Sequence, residues 1–237
     1  MRDLGYRILV VTDEREKIEG VVWRENLLAI GSSKTNLLVN DIVQEPLLIA
    51  SLGEPLKNLL RKMLDLDTWY VAVANNPQDL LYQGVFGFEH FLEFVLRDPE
   101  MSSVLESIKV NEVMTTNPIA VKPGMFVTTL WRNMIKYRFA GFPVVDDNNR
   151  VVGFVSQHDL LKISIPLQSE RSPRRSYRIS TLMTRPAIVV REEDNLLNAT
   201  KTIVFSNIGR LPVVSSDKSL IGIIDRSDII KTLISYI

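Results

Sequence analysis

The 237-residue chain has no cysteine. Disulfides, thiolate metal sites, iron–sulfur clusters and cysteine nucleophiles are therefore excluded. Histidine is scarce as well: only His90 and His158 occur, so no histidine-based zinc site is expected and no metal is assigned. There is no surplus charge of either sign, with 28 basic and 28 acidic side chains. That balance argues against a nucleic-acid coat or a polybasic membrane binder, and neither nucleic acid nor membrane is expected as a partner. The longest run free of charge and histidine is Thr68–Gln78, 11 residues, whereas a membrane-spanning helix needs about 20. No basic start followed by an apolar stretch opens the chain, so no secretory signal is expected and the expected location is cytoplasmic. What remains is 46% hydrophobic residues, enough to pack one large or two ordinary domains.

Internal repetition dominates the pattern. Residues 110–162 lie over 179–231 with no gap, at a constant shift of 69. Val110-Asn-Glu-Val-Met-Thr115 falls on Ile179-Ser-Thr-Leu-Met-Thr184, Phe142-Pro-Val-Val145 on Leu211-Pro-Val-Val214, and Asp159-Leu-Leu-Lys162 on Asp228-Ile-Ile-Lys231. Each copy reads as strand, helix, strand, strand, helix. Val127, Leu130, Trp131, Met134 and Ile135 make the stripe of a helix packed on one face, and Leu196, Ala199, Thr200, Ile203 and Val204 repeat it. The runs Phe142–Val145 and Val151–Val155 flank the polar Asp146–Arg150, a hairpin signal. Ser156-Gln-His-Asp159 is a capping-box pattern that starts the last helix.

A diverged copy lies upstream. Val39–Pro46 resembles Val110–Pro118, followed by the stripe Leu56, Leu59, Leu60, Met63, the run Trp69–Ala74, and Gly84–Gly87 with Phe91-Leu92. Before it, Arg7–Val11, Gly20–Trp23 and Glu25–Leu28 read as the last hairpin and helix of a further copy whose opening strand and helix have no counterpart. In this alignment Arg7 falls on Arg210. The expected units are a partial repeat over 1–33, a degenerate one over 37–97, and complete ones over 108–164 and 177–236. Connectors are expected near Gly31–Asn36, Asp98–Ser107 and Pro166–Arg178, the last a basic linker with Arg171, Arg174, Arg175 and Arg178.

Met114-Thr-Thr-Asn-Pro118, Gly141-Phe-Pro-Val-Val-Asp146 and Gly153-Phe-Val-Ser156-Gln-His-Asp159 resemble the CBS domain, named after cystathionine beta-synthase. So do Met183-Thr-Arg-Pro186, Arg210–Val214 and Gly222-Ile-Ile-Asp225-Arg-Ser-Asp228. The resemblance covers essentially the whole chain and implies an α/β (α+β) fold of tandem β-α-β-β-α repeats, paired into two Bateman modules with the first repeat truncated. Four repeats in a row are similar to the gamma subunit of AMP-activated protein kinase and to stand-alone archaeal CBS proteins. The family binds AMP, ADP, ATP or S-adenosylmethionine between paired repeats. By that resemblance Asp159 and Asp228 are ribose ligands, while Ser156, Arg210 and Arg138 serve phosphate. Thr116, Pro118, Ile119, Ala120, Phe142, Pro143, Thr184, Pro186, Ala187, Ile188, Leu211 and Pro212 would line adenine. A carboxylate suits a ribose diol, and a guanidinium suits phosphate.

Read without the resemblance, Ser156–Asp159 is a plain capping box, Arg210 a solvated arginine and His158 an exposed helix residue. Asp225 stands where a hydroxyl is expected, and a carboxylate there repels phosphate. Gly141 replaces arginine in the third repeat. The second repeat has Gly87 and His90, and the first Trp23 and Asn26, at the hydroxyl and carboxylate positions, so ligand is expected in the C-terminal pair only. The expected function is a non-catalytic adenine-nucleotide sensor that changes arrangement and modulates a partner protein. The alternative is a dimerisation scaffold with decayed sites. No P-loop, Gly-x-Ser-x-Gly or Gly-x-Gly-x-x-Gly motif argues for an enzyme. The truncated first repeat should leave part of the second uncovered, to be closed by another chain, as in a homodimer, or by a natural chain that begins further upstream.

Overall fold

A computed structural model describes residues 1, 4–28, 36–162 and 177–237. The linker arginines Arg171, Arg174 and Arg175, and most of the connector at 31–36, lie outside the described residues. Four antiparallel hairpins organise the chain: β1 (Ile8–Thr12) with β2 (Ile18–Trp23), β4 (Tyr70–Ala74) with β5 (Tyr82–Gly87), β7 (Gly141–Val145) with β8 (Val151–Ser156), and β10 (Arg210–Val214) with β11 (Leu220–Asp225). Each runs into a helix, respectively α1 (Arg24–Leu28), α3 (Phe88–Arg97), α6 (Gln157–Leu161) and α8 (Arg226–Leu233). The last three units also carry a helix before the hairpin: α2 (Leu56–Asp65), α5 (Val127–Tyr137) and α7 (Leu196–Phe205). Their short lead strands pair parallel to the hairpin of the same unit, β3 (Ile49–Ser51) to β4 and β9 (Val190–Arg191) to β10, with the single bridge Val121–Val144 in the third unit.

All four hairpins carry a register break at one place: Val11/Thr12, Val73/Ala74, Val144/Val145 and Val213/Val214. This shared bulge fixes the correspondence between units more firmly than residue similarity does. It places Ile8, paired with Trp23, over Arg210, paired with Asp225. Arg7 thus corresponds to Gly209 rather than to Arg210. The alignment of Arg7-Ile-Leu-Val-Val11 on Arg210–Val214 was one residue out of register, a slip that turns every side chain to the other face.

Units pair through exchanged backbone. In the last two, β6 (Thr115–Thr116) of the third adds to β11 of the fourth, and Thr184 of the fourth bridges Phe154 of the third. In the first two, Gln44 bridges Val21. Glycine makes this approach possible: a Cβ on Gly222 would run into Met114, and one on Gly153 would sit 2.9 Å from the Met183 sulfur. A second kind of contact, helix on helix, joins the pairs. α3 packs on α7 and α8, α2 on α8, and α1 on α6. The stripe Phe88, Phe91, Leu92, Val95 is buried there together with Leu196, Ala199, Ile203, Ile229, Ile230 and Leu233. Each such large side chain contributes about 1.5–3 kcal/mol on burial.

The connector expected at 98–107 is instead a helix, α4 (Pro99–Ser107). Asp98 caps it by accepting from the Glu100 and Met101 N–H groups at 2.9 and 3.0 Å, Pro99 opens its first turn, and Leu105 is fully buried against the helix layer. On α5, Val127, Leu130, Trp131 and Met134 are buried as the stripe predicts, but Ile135 is exposed.

Candidate functional site

The last helix of every unit begins the same way. The side chain at its third residue accepts from the backbone N–H of the residue that caps it: Trp23 N to Asn26 Oδ1 at 2.7 Å, Gly87 N to His90 Nδ1 at 2.9 Å, Ser156 N to Asp159 Oδ2 at 2.9 Å, and Asp225 N to Asp228 Oδ2 at 2.9 Å. Capping is thus the common structural task, and asparagine or histidine performs it as well as aspartate. It uses one carboxylate oxygen and leaves Oδ1 over. In Asp159, which is buried, Oδ1 accepts from Lys162 at 3.0 Å, and the Ser156 hydroxyl donates to Oδ2 at 2.8 Å. In Asp228, Oδ1 has no hydrogen-bond partner among the described residues.

Asp225 and Asp228 are mutually repelling carboxylates at one helix start. Burial, and next the charge of Asp225, push the Asp228 carboxyl up to about 6. Asp225 is occupied on both sides: its Oδ1 accepts from Ser227 N–H at 2.9 Å, and its Oδ2 lies 3.7 Å from Arg210 Nη2. The Arg210 guanidinium also lies over the Trp69 ring, 5.2 Å from its centroid. Arg210 is therefore not a solvated arginine. Burial lowers its pKa.

Next to this lies a cluster that the motifs did not indicate. Arg226 is completely buried. Its Nη1 donates to the Tyr70 hydroxyl at 2.7 Å and to Glu89 Oε2 at 2.9 Å. Arg7 Nη1 donates to the same hydroxyl at 2.6 Å, and its Nη2 to the Asn207 carbonyl at 3.0 Å. Arg24 Nη2 donates to the Gly5 and Tyr6 carbonyls at 2.6 and 3.1 Å. Arg226 Nε and Nη2 and Arg24 Nε are buried without a hydrogen-bond partner among the described residues. Burial, then the charge of Arg7, draws Arg24 down to about 10. Burial likewise lowers Arg226 and raises Tyr70. Among the described residues Glu89 is the carboxylate paired directly with this cluster, through Arg226, while Glu25 and Asp159 act on Arg24 by charge alone, and three guanidinium donors have no hydrogen-bond partner. Such an arrangement is costly unless an anion fills it.

This cluster draws on the first, second and fourth units, through Arg7 and Arg24, Tyr70 and Glu89, and Arg226. Sequence reasoning missed Arg24, Arg226, Tyr70 and Glu89. One signal was readable: Arg24 and Arg226 occupy the same place, directly after Trp23 and Asp225, where the other units have Phe88 and Gln157. A charge at a core-facing position needs a reason.

The remaining expected residues divide. Phe142, Pro143, Leu211 and Pro212 are buried in their strands. Gly141 is buried too, and a Cβ there would lie 2.7 Å from the Phe154 ring and 2.9 Å from the Val155 carbonyl, so no arginine fits. Thr116, Ile119, Thr184, Pro186 and Ile188 are exposed, while Pro118 and Ala120 are half-buried, as is Ala187. Arg138 is exposed in the left-handed conformation ending α5 and makes no ion pair among the described residues. A cleft of about 550 Å³ takes in Pro186 and Ala187, but it also reaches Val214, Ser215 and Lys218. It therefore opens at the end of β10 away from Arg210 and the carboxylates. No group of three or more metal-ligating side chains occurs among the described residues, and none of their helices is long and apolar enough to cross a membrane.

Repeated β-α-β-β-α units with exchanged lead strands define a tandem-repeat protein of paired modules. Residues 110–165 and 179–235 match the CBS domain, so the third and fourth units are CBS domains. It is 24% identical over 251 residues to protein MJ1225 of Methanocaldococcus jannaschii, covering 98% of this chain and 89% of that one. It is 31% identical over 134 residues to the chloroplastic CBS domain-containing protein CBSX1 of Arabidopsis thaliana, covering 47% of this chain and 57% of CBSX1. The MJ1225 crystal structure, described as that of a candidate archaeal homologue of the AMP-activated protein kinase gamma subunit, superposes with a TM-score of 0.82 at 21% identity, covering 97% of this chain and 88% of the other. An uncharacterised conserved protein from Pyrococcus horikoshii superposes at 0.70 with 18% identity, covering 96% and 91%. These two likenesses establish the fold.

Proposed function

We propose that the protein is a non-catalytic regulatory module that binds an adenine nucleotide, AMP, ADP or ATP, with S-adenosylmethionine a further candidate, and transmits its arrangement to a partner protein. One observation carries the reading: three buried guanidinium donors, on Arg24 and Arg226, have no hydrogen-bond partner among the described residues and lie near a further guanidinium, that of Arg7. Phosphate oxygens supply the missing acceptors, and guanidinium matches them bidentately. The spare Oδ1 of Asp228, beside Arg210, accepts from a ribose hydroxyl. Asp159 does the same in the third unit once the exposed Lys162 yields its place, and the Asp159 charge is felt by Arg24. The description of MJ1225 as a candidate homologue of the AMP-activated protein kinase gamma subunit supports this reading.

The mechanism is a population shift. The Tyr70 hydroxyl, from the second unit, accepts from Arg7 of the first and Arg226 of the fourth. A phosphate competing for those guanidiniums favours whichever arrangement of the modules brings them to it. Calorimetric titration with AMP, ADP, ATP and S-adenosylmethionine tests the proposal. Wild type binds at least one; Asp159→Ala and Asp228→Ala each weaken it without unfolding the chain, and the double variant does not bind. Silence from all four ligands refutes the sensor, and wild-type affinity in the double variant refutes the site.

The scaffold reading retains one supporting observation. Asp225 faces Arg210 at 3.7 Å, so that arginine is already engaged without ligand. The unpartnered donors of Arg24 and Arg226 weigh against it.

A further inference from the structure

The third and fourth units differ where the open end of the hairpin meets the last helix. In the fourth, Arg210 stands opposite Asp225; in the third, the matching positions hold Gly141 opposite Ser156. The two differences come together, so the unit that has the arginine also has the carboxylate.

What the Asp225 carboxylate touches is what a phosphate needs. Its Oδ1 accepts from the N–H groups of Ser227 and Asp228, at 2.9 and 3.3 Å, and from the Ser227 hydroxyl. Its Oδ2 faces Arg210 Nη2 at 3.7 Å. Backbone N–H groups at a helix start and a guanidinium are common donors to phosphate oxygens. The chain meets them here with an anion of its own, tethered in place and favoured by the α8 dipole. A phosphate monoester carries about −1.5 to −2 charges at pH 7 and must displace that carboxylate or sit beside it. The surroundings offer little compensation: Asp225, Asp228 and Asp67 all act on Arg210, against the guanidinium of Arg7. The unmatched guanidinium donors lie in other company. Arg226 is bonded to Tyr70 and Glu89, and Arg24 feels the Asp159 charge. Acceptors are short at those two arginines and already supplied at Arg210.

We infer, on the reading above that Asp228 holds a ribose, that Asp225 sets the specificity of that pocket: it takes an adenine nucleoside without a 5′ phosphate, the class of adenosine and S-adenosylmethionine, in preference to a nucleotide. A nucleoside uses the spare Oδ1 of Asp228 and leaves both the Asp225–Arg210 pair and the α8 cap intact. A nucleotide gains its phosphate contacts there only by giving those up, and then places its charge next to the displaced carboxylate. The Asp159 pocket has Ser156, a hydroxyl, at the corresponding place and carries no such penalty. The paired units therefore read two ligand classes, a nucleotide on Asp159 and a nucleoside on Asp228.

Calorimetric titration of the whole chain carrying Asp159→Ala, with adenosine and with AMP, isolates the Asp228 pocket. Adenosine is expected to bind at least about tenfold more tightly than AMP. Adding Asp225→Ser, which supplies the hydroxyl of the third unit and keeps a capping side chain, brings AMP level with adenosine or beyond it. Asp225→Asn removes the charge at constant shape and moves the ratio the same way, which keeps the test open should the serine variant fold poorly. AMP binding as tightly as adenosine before either change, or a ratio that neither change moves, overturns the specificity while leaving Asp228 a ribose site. Binding of both ligands by wild type and of neither by Asp159→Ala overturns the pocket itself. Wild type that binds neither ligand refutes the underlying sensor reading, and the specificity with it.

Discussion

Replacing Arg226 by methionine separates phosphate binding from folding. In the unliganded chain the arginine makes two charge-assisted bonds, to Tyr70 and Glu89, and leaves Nε and Nη2 unmatched. Bonds to charged groups contribute about 1.5–3 kcal/mol each, and unmatched buried donors cost about 1–3 kcal/mol each. These terms nearly cancel, but Arg226→Met also leaves the mostly buried Glu89 without its partner, so unliganded stability falls by up to about 3–5 kcal/mol and each ligand shift is read against the same variant without ligand. Binding is another matter. Losing two phosphate bonds of about 1.5 kcal/mol each raises the AMP dissociation constant about 100-fold. At AMP concentrations about 100 times the wild-type dissociation constant, ligand stabilises wild type by about 2.7 kcal/mol, a rise of about 5–10 °C in Tm at this chain length. The variant gains about 0.4 kcal/mol, about 1 °C. Adenosine, which lacks phosphate, should stabilise both proteins equally. Differential scanning fluorimetry with the two ligands decides. An AMP shift that survives the substitution, or an adenosine shift lost along with it, refutes the assignment of the arginine cluster to phosphate.

Two further outcomes follow from charge and packing. Because the folded state raises Asp228 from 3.8 to about 6, the folded protein holds the proton more tightly than the unfolded chain. Unliganded stability therefore rises as pH falls from about 7 through 6 towards 4, by up to about 3 kcal/mol, while adenosine affinity falls over the same window as the ribose acceptor becomes protonated. Urea titrations of wild type and Asp228→Asn across that range check both signs, and a pH-independent difference between them contradicts the raised carboxyl. In the sheet, Gly20→Ala forces a Cβ to within 2.9 Å of the Gln44 backbone carbonyl and should cost about 1–3 kcal/mol, whereas Gly5→Ala meets no atom within 4 Å and costs only its left-handed backbone strain. Equal urea midpoints for Gly20→Ala and wild type would show that the exchanged strand is not tightly held.

The repeat architecture was legible because a 69-residue shift reproduces both motifs and periodicity, and because hairpins, bulges and helix starts are local properties of a few residues. Gly20, Gly153 and Gly222 fall within hairpin runs of the sequence, but their role as contact residues is not visible there, since the partner strand that needs their missing Cβ comes from another unit. The Asp98–Ser107 helix was unreadable as a helix for a different reason: its apolar anchors, the buried Leu105 and the partly buried Met101 and Val104, gain their place only from the helix layer they meet. Arg7 was misaligned because Arg-Ile-Leu-Val-Val and Arg-Leu-Pro-Val-Val look alike, whereas register is set by the bulge and by the glycine facing it, which side-chain similarity does not record.

The candidate site shows the same division more sharply. Asp159 and Asp228 stood out by recurrence, yet their recurring role is the helix cap that Asn26 and His90 perform equally well, so recurrence alone could not distinguish ligand from cap. What separates them is the uncommitted Oδ1 of Asp228 and its raised carboxyl, both products of burial. Arg226 and Arg24 carry no motif; their meaning lies in having a charged group where the second unit has Phe88, and in meeting Tyr70 and Arg7 from units far away in sequence. A guanidinium placed in a core without enough acceptors either weakens the fold for nothing or awaits an anion. Among the described residues the capped helices, the engaged Arg210 and the shared Tyr70 hydroxyl leave the acceptor deficit at that one cluster, which is why the proposed function assigns a phosphate group to it.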